Sequence, residues 1–453
     1  MTCSLVGTTP SPARGGATRA PNARGLWRRP AGDGRRSAPE PGTERARYLP
    51  GTAFAPVTHA PTAPLADADL RRGLTALRRR LHKHPELGFE ERKTGAMLRE
   101  WLSARGLRPG PPLARTGFAV DIEGARPGPV VAYRADMDAL PIEEASDHAY
   151  RSRTPGVMHA CGHDAHMAIA CGVAVLADAR RDEMAGTLRV FFQPNEESVP
   201  SGAPLMIEDG VLEGVEAAYA VHVDPALPVG RVGFRAGSLT AACSPFVVTV
   251  ASGRSGHSAR PHETADTVWI AHQVAAELYQ LAGRVTDARK PAVITICRLR
   301  GGDALNVIPS SVEFGGTIRC SDDETLTFLR EKIRRVAGAL GAVYNADVDV
   351  DYAHMLPAVV NTAPEVADAR AVAADLLGDE AVIDLPLPSM GGEDFSYVLR
   401  EVPGAMLRIG TASGEDTRYP LHHSRFDLDE AALPLAARLM TEVCLADLAS
   451  RAA

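Results

Sequence analysis

Three parts of this chain carry side chains suited to holding a borderline transition metal and moving a proton. The richest is the run from residue 158 to 167, Met-His-Ala-Cys-Gly-His-Asp-Ala-His-Met, which sets His159, Cys161, His163, Asp164 and His166 within eight residues. Imidazole and thiolate are donors that zinc-like ions favour. Small apolar residues follow from 168 to 176 and read as a buried helix, so the polar run sits at its mouth, as on a loop aimed into a cleft. Cys161 and His163 are separated by one residue and reach one ion only from an irregular loop, which Gly162 makes easy. The second part is the adjacent pair Glu196-Glu197, where one carboxylate can bind metal while the other handles a proton. The third is a pair of histidines on separate segments, His222 and His422. Cys161, His163, Glu197, His222 and His422 make five donors, too many for one tetrahedral ion and suited to two ions sharing a bridging water. Water activated in that way hydrolyses an amide.

The elements that must position these groups follow from hydrophobic spacing. Order is expected to begin near residue 67, where Leu70, Leu74, Leu77 and Leu81 recur at helical spacing and Pro85 stops the helix. A second helix spans about 94 to 104, and strands are expected at 118 to 122 and 129 to 134. The latter runs into Asp136 and Asp138. Strands at 186 to 192 and 216 to 221 end in Glu196-Glu197 and in His222. Strand after strand therefore delivers chemistry at its C-terminal end, the layout of a mostly parallel sheet with one active edge. From 244 to 355 the order becomes βαββαβ, a ferredoxin-like arrangement inserted into the first domain. The catalytic domain, begun at 65 to 243, resumes over 356 to 453.

Composition bounds the function. At 453 residues, 45% hydrophobic and 23% charged, the chain is long enough for two domains of ordinary globular character. A net charge of -7 argues against general nucleic-acid binding, which needs a basic face. No apolar run approaches the roughly 20 residues that span a bilayer. Seven scattered cysteines without a C-x-x-C pair argue against a disulfide framework and for a reducing, cytoplasmic setting. Cys171, Cys243, Cys297, Cys320 and Cys444 read as core cysteines. Residues 1 to 64, with nine arginines against three acids in the first 47, read as a disordered tail; a transit-peptide-like leader or a start placed too far upstream are the alternatives.

Six ordered motifs carry a resemblance: Arg134-Ala-Asp136-Met-Asp138-Ala-Leu-Pro141, the run from His159 to His166, Gln193-Pro-Asn-Glu196-Glu197, Gly256-His257 with Pro261-His262, Asn306-Val-Ile-Pro309, and Gly392-Glu-Asp-Phe395. Over about residues 70 to 449 the chain resembles the dinuclear-metal amidohydrolase and peptidase family that includes hippurate hydrolases, plant auxin-conjugate hydrolases and bacterial N-acyl-amino-acid amidohydrolases. The resemblance implies an α/β metallohydrolase catalytic domain with an inserted lid and dimerisation domain. It implies that Cys161, His163, Glu197, His222 and His422 hold two divalent ions, among zinc, manganese, cobalt or nickel. Glu196 would be the general base and acid, and Asp138 a supporting carboxylate. His257, Asn306 and Arg319 would bind the substrate carboxylate and the developing oxyanion on closure of the lid, with His257 allowed to come from a dimer partner. The implied activity is hydrolysis of N-acyl amino acids, hippurate-like or N-acetyl, by a homodimer or higher homo-oligomer with no nucleic-acid or membrane partner. Asn195 and Ser424 depart from the family pattern, which more often has alanine and proline there. The remaining readings are a non-catalytic binder of acylated amino acids, a peptidase or dipeptidase of the same family, and an amidase using the Cys161 thiol. His159 and His166 read as helix-side or supporting groups, and His422 is preferred over its neighbour His423.

Overall fold

Leu74, Leu77 and Leu81 form the buried stripe of the helix Ala68–His82, the first element of a computed structural model that describes residues 68–453. The tail expected over residues 1 to 64 lies outside the described residues. A turn and the helix Arg92–Ser103 follow, and both helices pack on one face of a large sheet.

That sheet has eight strands. In spatial order they are Pro112–Leu113, Gly117–Glu123, Ala185–Gln193, Arg126–Asp136, Val215–Pro228, Gly404–Ala412, Val232–Phe234 and Val382–Asp384. Its centre is parallel: Arg126–Asp136 pairs in parallel with both neighbours, and Val215–Pro228 with Gly404–Ala412. Gly117–Glu123 and Val232–Phe234 join antiparallel, so the parallel centre of the sheet is flanked by antiparallel pairings. Central strands are apolar on both sides because both faces are covered. One face packs against the helices His163–Asp178 and Ala432–Ala452. The other packs under the helices Gly202–Glu208 and Phe395–Glu401.

Two element boundaries differ from those expected and matter for the site. The helix expected from 168 starts at His163, so His163 belongs to its first turn and only Cys161 remains in the preceding bend. The strand expected to end at 221 runs on to Pro228, so His222 lies within a paired strand.

The inserted unit has its own antiparallel sheet, ordered Ala292–Arg300, Ser311–Cys320, Ala242–Ala251 and Asp347–Tyr352, the ferredoxin-like arrangement. Helices Thr267–Val285 and Asp323–Tyr344 cover one face through Phe246, Val248, Phe314 and Leu329. Each such fully buried side chain contributes about 1.5–3 kcal/mol. The chain enters and leaves this unit along one paired track, where Cys243 and Leu356 exchange both backbone hydrogen bonds at 2.8 Å. Cys297 is exposed, contrary to its reading as a core cysteine. It sits on the edge strand at a register break between Ile296 and Arg298, which interrupts the inward and outward alternation.

Candidate metal centre

Four segments converge at the C-terminal ends of the central strands. Gly162 turns the chain with φ 84°, and an added Cβ would lie 2.4 Å from the Val223 methyl Cγ2, so only glycine fits between Cys161 and His163. Glu196 and Glu197 follow the strand Ala185–Gln193, and His222 rises from the strand Val215–Pro228. His422 comes from the loop before the last helix, at φ 65°, and is pinned by its backbone N–H donating to the Ala160 carbonyl at 2.8 Å. Cys161 Sγ lies 3.5 Å from His222 Nε2. Glu197 Oε1 lies 3.1 Å from His422 Nε2 and 3.9 Å from His163 Nε2. Donor atoms of Cys161, His163 and His222 lie within 4.8 Å of one another, as do those of Cys161, Glu197 and His422, and those of His163, Glu196 and Glu197. The structure thus brings all five expected donors together around shared members.

The charges in this cluster call for a cation. Burial, then Glu197 and Glu196, push the Cys161 thiol well above its usual range. Burial, then Arg408, push the His222 imidazole well below its own. Burial opposes protonation of His163, but Asp136, Asp138 and Glu197 outweigh it and bring it to about 10. Glu196 is driven well above the usual carboxylate range by burial and by Glu393, Glu197 and Asp394. His163 Nε2, Glu197 Oε1 and Asp138 Oδ1 are buried without a hydrogen-bond partner. Buried polar atoms are seldom left so, and three in one cluster mark a place for a bound ion. Contacts at 3.1 Å that lack hydrogen-bond geometry, as between Glu197 and His422, fit donors arranged for something between them.

Supporting groups fix these donors. Asp138 Oδ2 accepts from the Glu197 backbone N–H at 3.0 Å, and its carbonyl lies 2.9 Å from His163 Nδ1. His166 has both nitrogens engaged: Nδ1 faces Asp136 Oδ1 at 2.7 Å and Nε2 accepts from the Val223 N–H at 3.0 Å. It holds the strand carrying His222, and its donor atoms also lie within 4.8 Å of those of Asp136 and His163. His159 is buried with neither nitrogen bonded, and burial lowers it to about 4. His423 stacks on Tyr419 and accepts from the Arg425 N–H, whereas His422 faces the cluster. Asn195, at φ 50°, donates to the Ser198 and Pro200 carbonyls and shapes the loop behind the glutamate pair.

Two buried arginines were given no role from the sequence. Buried Arg134 donates to Gln193, Asp136 and Asp394, tying three site-bearing strands and loops together. Buried Arg78 donates to Asp164 at 2.7 Å and Asp427 at 2.8 Å, which flank the Cys161 to His163 turn and the His422 loop. An arginine in the midst of a leucine stripe was the available signal for the second.

The inserted unit's expected residues stand apart. Pairing of Gly256–His257 with Val307–Ile308 places His257 beside Asn306, and both are exposed. Arg319 donates to the Met390 carbonyl at 2.7 Å, touching the loop that leads to Glu393 and Asp394. Among the described residues, no hydrogen bond or ion pair joins His257, Asn306 or Arg319 to the five donors.

The model of peptidase family M20/M25/M40 matches residues 132–446, spanning the donors, the supporting groups and the inserted unit. The chain belongs to this family. Within the M20 family, an N-acetylcysteine deacetylase from Bacillus subtilis is 37% identical over 382 residues, covering 84% of this chain and 98% of the relative. An IAA-amino acid hydrolase ILR1-like 2 from Arabidopsis thaliana is 35% identical over 383 residues, 84% of this chain and 86% of that protein. A solved structure from Bacillus subtilis, described as a dinuclear metal binding peptidase from the M20 family, superposes with a TM-score of 0.75 at 35% identity, covering 85% of this chain and all of that one.

Proposed function

We propose that this chain is a metal-dependent amidohydrolase that cleaves the amide bond of N-acyl amino acids, releasing a carboxylic acid and a free amino acid. The observation that carries the reading is the convergence of five donors, with buried unpartnered atoms among them, beside Glu196, which Glu393, Glu197 and Asp394 crowd with negative charge. The names of the M20 relatives, a deacetylase of N-acetylcysteine and a hydrolase of an amino-acid conjugate, support the same substrate class.

The residues fit a pair of divalent ions. Cys161, His163, Glu197, His222 and His422 would hold them, and their mix of thiolate, imidazole and carboxylate suits zinc, manganese, cobalt or nickel. When bound, such ions polarise a carbonyl and make water more acidic. Everything else falls to the chain. Glu196 takes a proton from the attacking water on a carboxylate oxygen and returns it to the leaving nitrogen. Burial and the neighbouring carboxylates raise its proton affinity, so it holds a proton taken from water until the leaving nitrogen receives it. Asp138 holds the backbone of Glu197 and faces His163, which keeps the glutamate pair in register with the helix start. His257, Asn306 and Arg319 are assigned to the substrate carboxylate and the oxyanion, reached by closure of the inserted unit or supplied across a dimer.

Hydrolysis of a panel of N-acetyl, N-benzoyl and N-indoleacetyl amino acids, each with zinc, manganese, cobalt or nickel added, tests the reading. Turnover of at least one class is expected. Tight binding of these compounds with metal present but no turnover would make the chain a binding protein instead.

A further inference from the structure

Arg408 is an unpartnered cation of the catalytic sheet. It lies in the strand Gly404–Ala412, in parallel register with His222 of the neighbouring strand. Residues in register on adjacent strands point to the same face. For this pair it is the face where Ala218, Ala220 and Met406 meet Leu239, Val359 and Phe395, beneath the crossing to the inserted unit. The Arg408 stem packs beside Gly233, where an added Cβ would meet both Arg408 and Leu385. Arg408 is 8% exposed, yet it makes no hydrogen bond, ion pair or ring contact with any described residue. The other buried arginines differ: Arg78 and Arg134 each bond to several acceptors. The stem is buried, but none of the buried unpartnered side-chain atoms among the described residues belongs to Arg408, so its guanidinium reaches solvent and can meet an anion arriving from outside.

We propose that Arg408 binds a second carboxylate of the substrate, so that the preferred substrates are N-acyl amino acids with an anionic group beyond the α-carboxylate. The inference rests on the amidohydrolase reading, because it assigns the α-carboxylate to the inserted unit and leaves Arg408 for another anion. Two sources supply that group: an acidic amino-acid side chain, as in N-acetylglutamate, or a dicarboxylic acyl group, as in N-succinylalanine. A planar fork of donors suits a carboxylate from either.

The test uses the full chain with metal, and Arg408→Met and Arg408→Lys. The first readout is preference, the kcat/KM ratio of N-acetylglutamate to N-acetylglutamine, and of N-succinylalanine to N-acetylalanine. One of the two ratios is expected to fall about 10- to 100-fold in Arg408→Met and to be partly restored in Arg408→Lys. Which one falls identifies the source. Unchanged ratios in both arms, or equal losses on charged and neutral substrates, would overturn the proposal. The second readout needs no turnover. With saturating N-acetylglutamate or N-succinylalanine on the Glu196→Gln background, the thermal midpoint should rise for the Arg408 protein and not for Arg408→Met. Without ligand, Arg408→Met should melt no lower than the Arg408 protein, since the guanidinium makes no hydrogen bond or ion pair that the fold would lose. A large loss of midpoint without ligand would mark Arg408 as structural and overturn the proposal. Absence of turnover on every substrate, with the ligand-induced shift intact, would count against the amidohydrolase reading and leave the Arg408 site standing.

Discussion

At the scale of the residue, the account depends on what each polar atom already touches. His166 reads as a supporting group because Asp136 and the Val223 N–H hold its nitrogens, while His163 Nε2 and Glu197 Oε1 are buried without a hydrogen-bond partner. Glu196 differs from its neighbour in environment: Glu393 and Asp394 approach it, and these carboxylates keep its proton affinity high. Glu196→Gln retains the shape and loses the proton acceptor. Hydrolysis should fall roughly 100- to 10,000-fold while elemental analysis finds the metal content unchanged. Surviving turnover would remove Glu196 from its role. Gly162→Ala should act differently, because its Cβ would collide with Val223 at a position of left-handed φ. The expected outcome is a loss of about 1–3 kcal/mol in urea unfolding together with weaker metal binding.

At the scale of the element, the helix Ala68–His82 does more than fill the core. Arg78 reaches from it to Asp164 and Asp427, and His82 Nδ1 lies 2.8 Å from Asp164 and Nε2 3.4 Å from Glu144. Arg78→Met leaves those acids buried without their cation and should cost about 3–5 kcal/mol, read from denaturation midpoints. The pH dependence has a definite sign. Burial favours the neutral acids, but Arg78 and His82 hold Asp164 below the usual range, Arg78 and Tyr150 do so for Asp427, and His82 and Ser146 bring Glu144 to about 2. Lowered carboxylates stabilise the fold fully above their unfolded value of about 4, and that stability is lost as pH falls through the folded values. Midpoints should therefore drop between about pH 4 and pH 2, and Arg78→Met should flatten the drop. Cys161, His163 and Glu197 were legible because each sits in a short motif of unusual composition, and His222 and His422 as histidines on separate segments that complete the set. Arg78 was not, since leucines at helical spacing explain that helix without it. The length of Val215–Pro228 was missed as well: pairing with Gly404–Ala412, a strand distant in sequence, extends it beyond its apolar core.

At the scale of the whole molecule, local spacing says nothing about how far the inserted unit stands from the donors, so the separation of His257 and Asn306 from them is visible only in three dimensions. The proposed dimer supplies one route for completing the site. The two edges of the inserted sheet differ in a way that favours one of them. Strand Asp347–Tyr352 exposes Asp347, Asp349 and Asp351, which discourage pairing, whereas Ala292–Arg300 exposes Val293 and Leu299. Leu299→Lys is expected to shift the protein towards monomer in sedimentation velocity, and an unaltered dimer would move the contact elsewhere. The described residues include no helix long and apolar enough to cross a membrane. The measurement that bears most directly on the central claim is a titration of the chelator-stripped chain with zinc or manganese, following ions bound per chain and hydrolysis of an N-acetyl amino acid together. The account predicts no hydrolysis in the stripped chain and full activity as two ions bind. Full activity in the metal-free chain would contradict it and return the Cys161 thiol to consideration as the nucleophile.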